Sequence, residues 1–298
     1  MPAPHHFITG AELDADRLAL LLSRASAIKE APLSSRALEG RTVALVFNKP
    51  STRTRTSFEA GVFELGGHPM ILRPDEMQLT RGESVRDTAY ILSRHAHVIG
   101  LRTGNEDELN GLAEHATVPV VNMLSPAHHP CQAIADLLTL KETFGNLEGR
   151  VITYVGDGNN VARSLAVVGA IAGLEVRIAA PSGYQITDTP ATLFEDPVEA
   201  VRGADAVYTD VWVSMSDDES SAAARREALH DYAITDELLD HAADGAFALH
   251  CLPAHPGEEI TESVLYGSRQ RIWDQAENRR HAQKALLELL VSSAGQDG

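Results

Sequence analysis

The sequence predicts an α/β protein with two halves, each built around a parallel sheet. Short β-rich runs, the first of them TVALVF (42–47), alternate with longer segments whose apolar residues recur at helical spacing, and the alternation starts again at VITYVGDG (151–158). Such alternation is typical of βαβ units, whose strands run parallel. A length of 298 residues also exceeds the usual size of a single core and favours two domains.

The first half begins with a predicted helix over 11–29, for which Thr9 is a candidate N-cap. The strand at 42–47 leads into a helix with a Ser/Thr-rich start, and Gly66-Gly67 ends that helix. The pattern then predicts strands over 69–72, 97–101 and 118–122, and helices over 84–94, 105–115 and 130–144.

In the second half, strands are predicted within 151–158 and over 175–179, 206–211 and 246–250. Helices are predicted over 160–172, 196–202 and 274–292, with a helix-rich acidic stretch around 217–240. We expect the two halves to join near the helix at 130–144. The periodicity leaves open which half the final helix packs against.

The composition excludes several classes of protein. With 44% hydrophobic and 22% charged residues, the chain is not disordered, collagen-like or a disulfide scaffold. The longest uncharged apolar run (164–174) has eleven residues, whereas a transmembrane helix needs about 20. The N-terminal residues MPAPHHFITG lack the features of a secretory signal. Cys131 and Cys251 are then expected to be reduced thiols, and we expect a cytoplasmic protein.

The charge balance constrains the partners. The chain has 42 acidic and 25 basic residues, a formal net charge of −17. An acidic surface repels nucleic acid and anionic lipid, so we expect neither as a partner. It also repels small phosphates, so an anionic substrate requires a local cluster of arginines.

The motif NKPSTRTRTSFE (48–59) meets that requirement because it follows a predicted strand directly and opens a helix. Backbone N–H groups of a first helical turn can converge with nearby hydroxyl and guanidinium groups on one anion. No glycine-rich P-loop is present, so a nucleoside triphosphate is not implied. Arg55 projects from another side of the helix and is a candidate structural residue. The candidate phosphate ligands are Ser51, Thr52, Arg53 and Thr54.

A second group of candidates lies farther along the first half. Arg102 closes a predicted strand, and His129 and Gln132 lie where a loop meets a helix. Ligands of open α/β sheets bind outside the C-terminal ends of strands, so Arg53, Arg102 and His129 can meet there. An arginine and an imidazole beside a carbonyl oxygen stabilise the oxyanion of acyl transfer. No histidine cluster has the ligand spacing of a zinc site, so no metal is expected.

GDGNNVARSLA (156–166) is similar to a dinucleotide-binding turn because Gly156 and Gly158 follow a predicted strand. The third small position is Val161, however, and no carboxylate for a ribose occurs about 20 residues further on. A nicotinamide cofactor is therefore not expected. The two asparagines after Gly158 are placed either to hydrogen-bond a small polar substrate or to form a turn.

DVWVSM and HCLPAH both follow predicted strands of the second half. Asp210 offers a carboxylate to an ammonium group, Ser214 offers a hydroxyl and Cys251 offers a thiol. A buried structural thiol is the alternative interpretation of Cys251. Its position between a histidine and a Leu-Pro pair favours a functional role.

Together, the motifs STRTR, HPCQ, GDGNN, DVWVSM, HCLP and ENR resemble those of the aspartate/ornithine transcarbamoylase family, in order and from about residue 5 to residue 292. HCLP favours the ornithine branch, because aspartate enzymes typically have HPLPR at this place. The family also includes enzymes for acetylornithine, succinylornithine and putrescine. The Ser214-Met215 pair favours free ornithine.

The resemblance implies two similar-sized doubly wound parallel-sheet domains with the active site between them. A carbamoyl-phosphate-binding domain would span 1–133 and an ornithine-binding domain 134–271, with the C-terminal helix (272–298) packing back on the first. Gln78 matches a position on a loop that reaches a neighbouring subunit's site, which implies a homotrimer with shared active sites. The implied reaction is carbamoyl transfer from carbamoyl phosphate to the side-chain amine of L-ornithine in arginine metabolism, without a cofactor.

The resemblance also assigns ligands to each substrate. Those implied for carbamoyl phosphate are Ser51, Thr52, Arg53, Thr54, Gln78, Arg102, His129, Gln132, Cys251, Leu252 and Arg279. Those implied for ornithine are Asn160, Asp210, Ser214 and Met215. Catalytic roles are implied for Arg53, Arg102, His129, Asp210 and Cys251, and no metal ligand is implied.

Three positions depart from the family pattern. Ser216 stands where glycine is usual, Pro256 stands where arginine is common, and Arg280 replaces an apolar residue. The first two leave the side-chain pocket in question. The motifs are the same for synthesis of citrulline and for the reverse reaction, so they leave the direction open.

Overall fold

Two parallel sheets organise the chain, one in each of two units. The computed structural model describes residues 5–78, 82–213 and 219–293. Unit 1 comprises Met1–Leu138 and Glu277–Gly298, and unit 2 comprises Thr139–Ala276. The predicted class of two parallel-sheet α/β domains is confirmed.

The sheet of unit 1 is formed by β1 (Thr42–Phe47), β2 (His68–Leu72), β3 (Val98–Arg102) and β4 (Val120–Leu124). Its helices are α1 (Ala15–Glu30), α2 (Thr52–Glu64), α3 (Val85–His95), α4 (Glu106–His115) and the start of α5 (Pro130–Phe144), with a 3-10 turn at Pro74–Glu76. The strands are parallel in the order β2-β1-β3-β4. Within β1, the consecutive residues Val43, Ala44 and Leu45 are fully buried. Both faces of the sheet are therefore covered, as is usual for parallel sheets.

Unit 2 repeats this plan with β5 (Val151–Val155), β6 (Glu175–Ala179), β7 (Thr192–Phe194), β8 (Ala206–Thr209) and β9 (Phe247–His250). The strands are parallel in the order β7-β6-β5-β8-β9. Its helices are α6 (Asn160–Ile171), α7 (Pro197–Val201), α8 (Glu219–Leu229), α9 (Asp236–Leu239), α10 (Glu262–Leu265) and the start of α11 (Ile272–Ser293), with a 3-10 turn at His230–Tyr232. Val207, Ala248 and Trp212 belong to the core that packs on this sheet.

Helix α11 contacts the N-terminal helices, which answers the question that its periodicity left open. Arg24 in α1 forms a bidentate ion pair with Glu288, with N–O distances of 2.6 and 3.0 Å. The fully buried Lys284 places its ammonium 2.7 Å from the Glu64 carboxylate at the end of α2. A Cβ at Gly61 would lie 3.1 Å from Lys284 Cγ, so a glycine permits this close approach of α2 and α11. No helix among the described residues is long and apolar enough to cross a bilayer.

Several element boundaries differ from the sequence prediction. The first helix begins at Ala15 rather than near Thr9, because the Asp14 carboxylate caps it by accepting from the Arg17 N–H at 2.8 Å. The predicted strand at 118–122 lies two residues later, as β4. The short strand β7 was not predicted, since three residues are too few to establish a period. Gly66, with a φ of +82°, follows the end of α2 as predicted.

The buried ion pair of α11 generates a stability prediction. Lys284→Met should lower the free energy of unfolding by about 2 kcal/mol or more, because the Glu64 carboxylate loses its buried ammonium partner. Urea unfolding measures the change. Lys141→Met is the matched control on α5, where lysine is partly exposed, and should change stability by less than about 0.5 kcal/mol. Equal effects of the two substitutions would contradict a structural role for the buried pair.

Candidate active site

The C-terminal ends of β1, β3 and β4 carry the predicted site residues of unit 1. Ser51 caps α2 after β1, Arg102 is the last residue of β3, and His129 directly precedes α5 after β4. This is the edge where parallel sheets bind ligands.

The hydroxyl of Thr54 is the centre of this group. Thr54 is buried, and its Oγ1 accepts hydrogen bonds from Arg102 Nη1 at 3.3 Å and from Arg279 Nη2 at 2.9 Å. Arg279 reaches this place from α11 and is 3% exposed. Two guanidinium groups from distant parts of the chain thus meet at one side chain of the first turn of α2.

The second terminal nitrogen of the Arg279 guanidinium, Nη1, contacts His129 and Gln132. Arg279 Nη1 donates to Gln132 Oε1 and lies 3.3 Å from His129 Nε2. Gln132 Nε2 in turn donates to the buried carboxylate of Asp136 at 2.7 Å. Asp136 thereby fixes the amide orientation that turns the Gln132 oxygen toward Arg279.

His129 is a neutral imidazole in this environment. Its burial, and then the positive charges of Arg279, Arg102 and Arg53, lower the pKa of His129 well below its ordinary value. Because an arginine only donates, Nε2 of His129 accepts from Arg279, and the ring proton sits on Nδ1. The ring can therefore donate a hydrogen bond without carrying a charge.

The remaining predicted residues of unit 1 lie at its margins. Ser51 Oγ accepts from the Thr54 N–H at 3.2 Å as the N-cap of α2. Arg53 is partly buried and close enough to affect His129, whereas Thr52 is exposed. Arg55 Nε pairs with Glu59 at 3.3 Å.

Gln78 has an exposed side chain, and its carbonyl accepts a hydrogen bond from the Glu83 N–H at 3.1 Å. Cys131 lies between two predicted ligands but acts as a structural thiol. It donates to the Asn122 carbonyl at 3.3 Å, and burial raises its pKa to about 12.

In unit 2, a carboxylate takes the central place that a hydroxyl takes in unit 1. Asp210 follows β8, and its Oδ1 accepts from the Cys251 thiol, with 2.8 Å between oxygen and Sγ. Its Oδ2 accepts from Asn159 Nδ2 at 2.9 Å. Cys251 follows β9 and is 9% exposed. The structure thus brings together two residues that the sequence predicted, and it adds a third.

Asn159 is one of the two asparagines that the sequence offered either to a polar substrate or to a turn, whereas Tyr154 was not predicted as a site residue. Asn159 caps α6, and its Oδ1 accepts from the N–H groups of Val161 and Ala162 at 2.9 and 3.2 Å, which leaves Nδ2 to face Asp210. Burial, and then the charges of Asp210 and Asp157, raise the pKa of the Tyr154 phenol well above its ordinary value. The signal available in the sequence was the turn-forming character of the asparagine.

Asn160 begins α6 and is partly buried. The predicted ornithine ligands Ser214 and Met215, and the departure at Ser216, lie outside the described residues. Gly158 is required by packing, since a Cβ there would lie 2.5 Å from the Tyr184 carbonyl oxygen.

A buried acid and imidazole support the HCLP turn. His250 Nδ1 accepts from the Leu252 N–H at 2.8 Å, and His250 Nε2 lies 3.0 Å from Glu259 Oε1. Burial alone would raise the pKa of Glu259, but hydrogen bonds from His250 and from the His255 N–H lower it below the ordinary value. Leu252 itself has a φ of +60°, a strained conformation for leucine that these hydrogen bonds hold.

Two of the departures from the family pattern fit their surroundings. Gly257, after Pro256, has a φ of +91°, and its N–H donates to the Ile260 carbonyl at 2.9 Å, which closes a turn beside Glu259. Arg280 Nη1 lies 3.2 Å from Glu64 Oε1, so this arginine joins α11 to α2.

Among the described residues, two clusters have donor atoms close enough to hold a cation: Asp210, His250 and Cys251, and a second group of His255, Glu258 and Glu259. In the first, both ring nitrogens of His250 already make hydrogen bonds, to the Leu252 N–H and to Glu259. In the second, Glu258 pairs with Arg226 at 3.1 Å. A metal would have to displace these partners in either place.

Comparison with known proteins gives matches over nearly the whole chain. Residues 5–142 match the family described as aspartate/ornithine carbamoyltransferase, carbamoyl-P binding domain, and residues 148–290 match its Asp/Orn binding domain. An ornithine carbamoyltransferase of Acidothermus cellulolyticus is 50% identical over 98% of both chains. The solved structure of ornithine carbamoyltransferase from Pyrococcus furiosus has a TM-score of 0.93 at 41% identity, over 97% of this chain and 98% of that one.

A more distant structure, that of an N-acetyl-L-ornithine transcarbamylase, has a TM-score of 0.85 at 29% identity, over 96% of this chain and 99% of that one. The matches to the two family domains follow one another along the sequence and together include every predicted site residue. The chain therefore belongs to the aspartate/ornithine carbamoyltransferase family.

Proposed function

We propose that this protein transfers the carbamoyl group of carbamoyl phosphate to the side-chain amine of L-ornithine, giving L-citrulline and phosphate. Relatives at 50% and 45% identity are named ornithine carbamoyltransferase and support this proposal. The observation that carries it is the cluster of buried Thr54, Arg279 and neutral His129 with partly buried Arg102, because it combines anion-binding groups with an uncharged hydrogen-bond donor.

The phosphate group binds at the start of α2 in this proposal. The N–H groups of the first helical turn attract an anion, and the hydroxyls of Ser51, Thr52 and Thr54 add donors. Arg53 supplies a guanidinium that neutralises the charge of the departing phosphate. Thr54 also fixes Arg102 and Arg279 beside this place.

The carbamoyl end binds next to His129. As the amine attacks, negative charge develops on the carbonyl oxygen, and Arg102 with the Nδ1–H of His129 stabilises it. A neutral imidazole suits this role, because a charged ring would be repelled by the nearby arginines. Gln132, Arg279, Gln78, Cys251 and Leu252 complete the proposed set for carbamoyl phosphate.

The amine must lose a proton before it attacks. An alkylamine has a pKa near 10, so only about one part in a thousand is neutral at pH 7, which costs about 4 kcal/mol. We assign proton acceptance to the Asp210 carboxylate. The Cys251 thiol donates a hydrogen bond to Asp210. In this proposal it therefore holds the carboxylate in place and does not itself act as the base. Asn160, Ser214 and Met215 are the other proposed ornithine ligands.

The proposed reaction forms one bond and breaks one bond between the two substrates, and each proton released has an acceptor. The ornithine nitrogen forms a bond to the carbonyl carbon, and the bond between that carbon and the bridging phosphate oxygen breaks. The amine protons leave to Asp210 and to the departing phosphate. Holding both substrates in the reacting orientation supplies a further several kcal/mol.

We propose a homotrimer in which the loop carrying Gln78 completes a neighbouring subunit's site, consistent with the exposure of that side chain. Residues 1–133 with 272–298 would bind carbamoyl phosphate, and residues 134–271 would bind ornithine. We place the protein in the cytoplasm and in arginine biosynthesis.

A second candidate acceptor is N-acetylornithine, because the chain is also similar to an N-acetyl-L-ornithine transcarbamylase. Putrescine is the third. The deciding experiment measures product from carbamoyl phosphate with L-ornithine, N-acetylornithine, putrescine and aspartate in parallel. We expect turnover with ornithine alone. Turnover confined to another acceptor would refute the ornithine assignment and keep the carbamoyl phosphate site.

The phosphate assignment predicts a contrast between two arginines of one helix. Arg53→Ala should lower kcat/KM for carbamoyl phosphate by about 100-fold or more, because a buried charge on the leaving group loses its partner. Arg55→Ala, which removes a guanidinium paired with Glu59, should stay within about twofold of the parent. Steady-state kinetics measure both, and thermal unfolding verifies the fold. Equal losses would contradict the assignment.

The different hydrogen-bond partners of the two cysteines predict a contrast between their alanine variants. Cys251→Ala should lower kcat by about 10- to 100-fold and change the pH profile of the rate, because the proposed proton acceptor, Asp210, loses one of the hydrogen bonds that hold it in place. Cys131→Ala removes the structural thiol and should affect stability more than rate. If Cys251→Ala leaves both rate and pH profile unchanged, the thiol has no part in the reaction.

A further inference from the structure

Three successive acidic residues form the first turn of α4: Glu106, Asp107 and Glu108. The two glutamates are partly buried and point toward neighbouring loops, whereas Asp107 is exposed. No motif marked these residues, and none belongs to the proposed substrate ligands.

Glu108 joins two of the loops that carry the anion-binding residues. Its Oε2 accepts from Asn48 Nδ2 at 2.7 Å and from Thr103 Oγ1 at 2.5 Å. Asn48 opens the loop that leads from β1 to Ser51, and Thr103 directly follows Arg102. A backbone hydrogen bond of 2.8 Å from the Asn48 N–H to the Arg102 carbonyl completes the connection.

Glu106 holds the third loop. Its Oε1 accepts from Ser125 Oγ at 3.1 Å, and its Oε2 accepts from the Ala127 N–H at 3.2 Å. The Ser125 N–H donates to the His128 carbonyl at 2.9 Å, so the loop is closed immediately before His129.

We infer that Glu106 and Glu108 are positioning residues, which set the three loops of the carbamoyl phosphate site from one helical turn. This inference rests on the proposed function, because it concerns the arrangement of Arg53, Arg102 and His129 for that substrate. Neither glutamate is among the proposed substrate ligands. Each acts through hydrogen bonds to a loop, and loop displacements of about 1 Å are enough to lower a rate about 100-fold.

The number of oxygens used distinguishes positioning from a charge effect. Glu108 uses one oxygen for both of its partners, so a glutamine can keep both hydrogen bonds through its single carbonyl oxygen. Glu106 uses both oxygens, so a glutamine there would turn an NH₂ group toward a donor. If only charge mattered, Glu106→Gln, Glu108→Gln and Asp107→Asn would have the same effect.

The test measures kcat and the KM of each substrate, together with calorimetric binding of carbamoyl phosphate. We expect Glu108→Ala and Glu106→Gln to raise the KM and the Kd of carbamoyl phosphate about tenfold, with the KM of ornithine within about twofold. Glu108→Gln and the control Asp107→Asn should stay within about twofold of the parent. Thermal unfolding identifies any variant that fails to fold, and Glu108→Gln is then compared directly with Glu106→Gln.

Equal behaviour of Glu106→Gln and Glu108→Gln would overturn the inference, as would equal changes in the KM of both substrates. A parent protein that binds carbamoyl phosphate but forms no citrulline would instead refute the proposed function. In that case the calorimetric Kd still tests the positioning role.

Discussion

Two guanidinium groups share one buried hydroxyl in unit 1, and the rest of that unit's site is arranged around this constraint. Arg102 and Arg279 both stay charged at any ordinary pH, so their repulsion is not relieved by loss of a proton. The neighbouring groups adapt instead: His129 is neutral, and Gln132 turns its oxygen inward because Asp136 accepts from its amide group. The chain as a whole has a net charge of −17. Folding nevertheless brings Arg102 and Arg279, which are far apart in sequence, together at Thr54, and so creates a local concentration of positive charge.

In unit 2 the central group is a carboxylate instead, that of Asp210. Asp210 is held by a thiol and an amide, each of which donates a hydrogen bond to one of its two carboxylate oxygens. The phenol of Tyr154, whose raised pKa keeps it protonated, donates to Asn159 and adds no charge of its own. One sheet thus presents positive groups and the other a negative group, in accordance with a phosphate and an amine as substrates.

The sequence predicted the elements with a clear period and the site residues that belong to motifs. It misplaced the start of α1 because Thr9 and Asp14 are both good caps, and only the contacts of the folded chain select between them. Glu106 and Glu108 were not predicted because their roles depend on partners distant in sequence. Glu108 and Asn48, for example, are 60 residues apart. A motif is a pattern of residue types within one segment of the chain. A supporting hydrogen bond between two loops depends on how distant segments fold together, so residue spacing within one segment does not predict it.

The position of Arg279 in α11 has a consequence for the order in which the protein is made. Residues 5–138 leave the ribosome early, yet they lack the arginine that aligns Thr54, His129 and Gln132, and they also lack Lys284 and Glu288. The whole of unit 2 is synthesised before these partners emerge. The contact between Arg279 and Thr54 spans 225 residues, so its formation must follow the late exit of α11. A nascent chain therefore lacks the contacts that align Thr54, His129 and Gln132 until translation is almost finished.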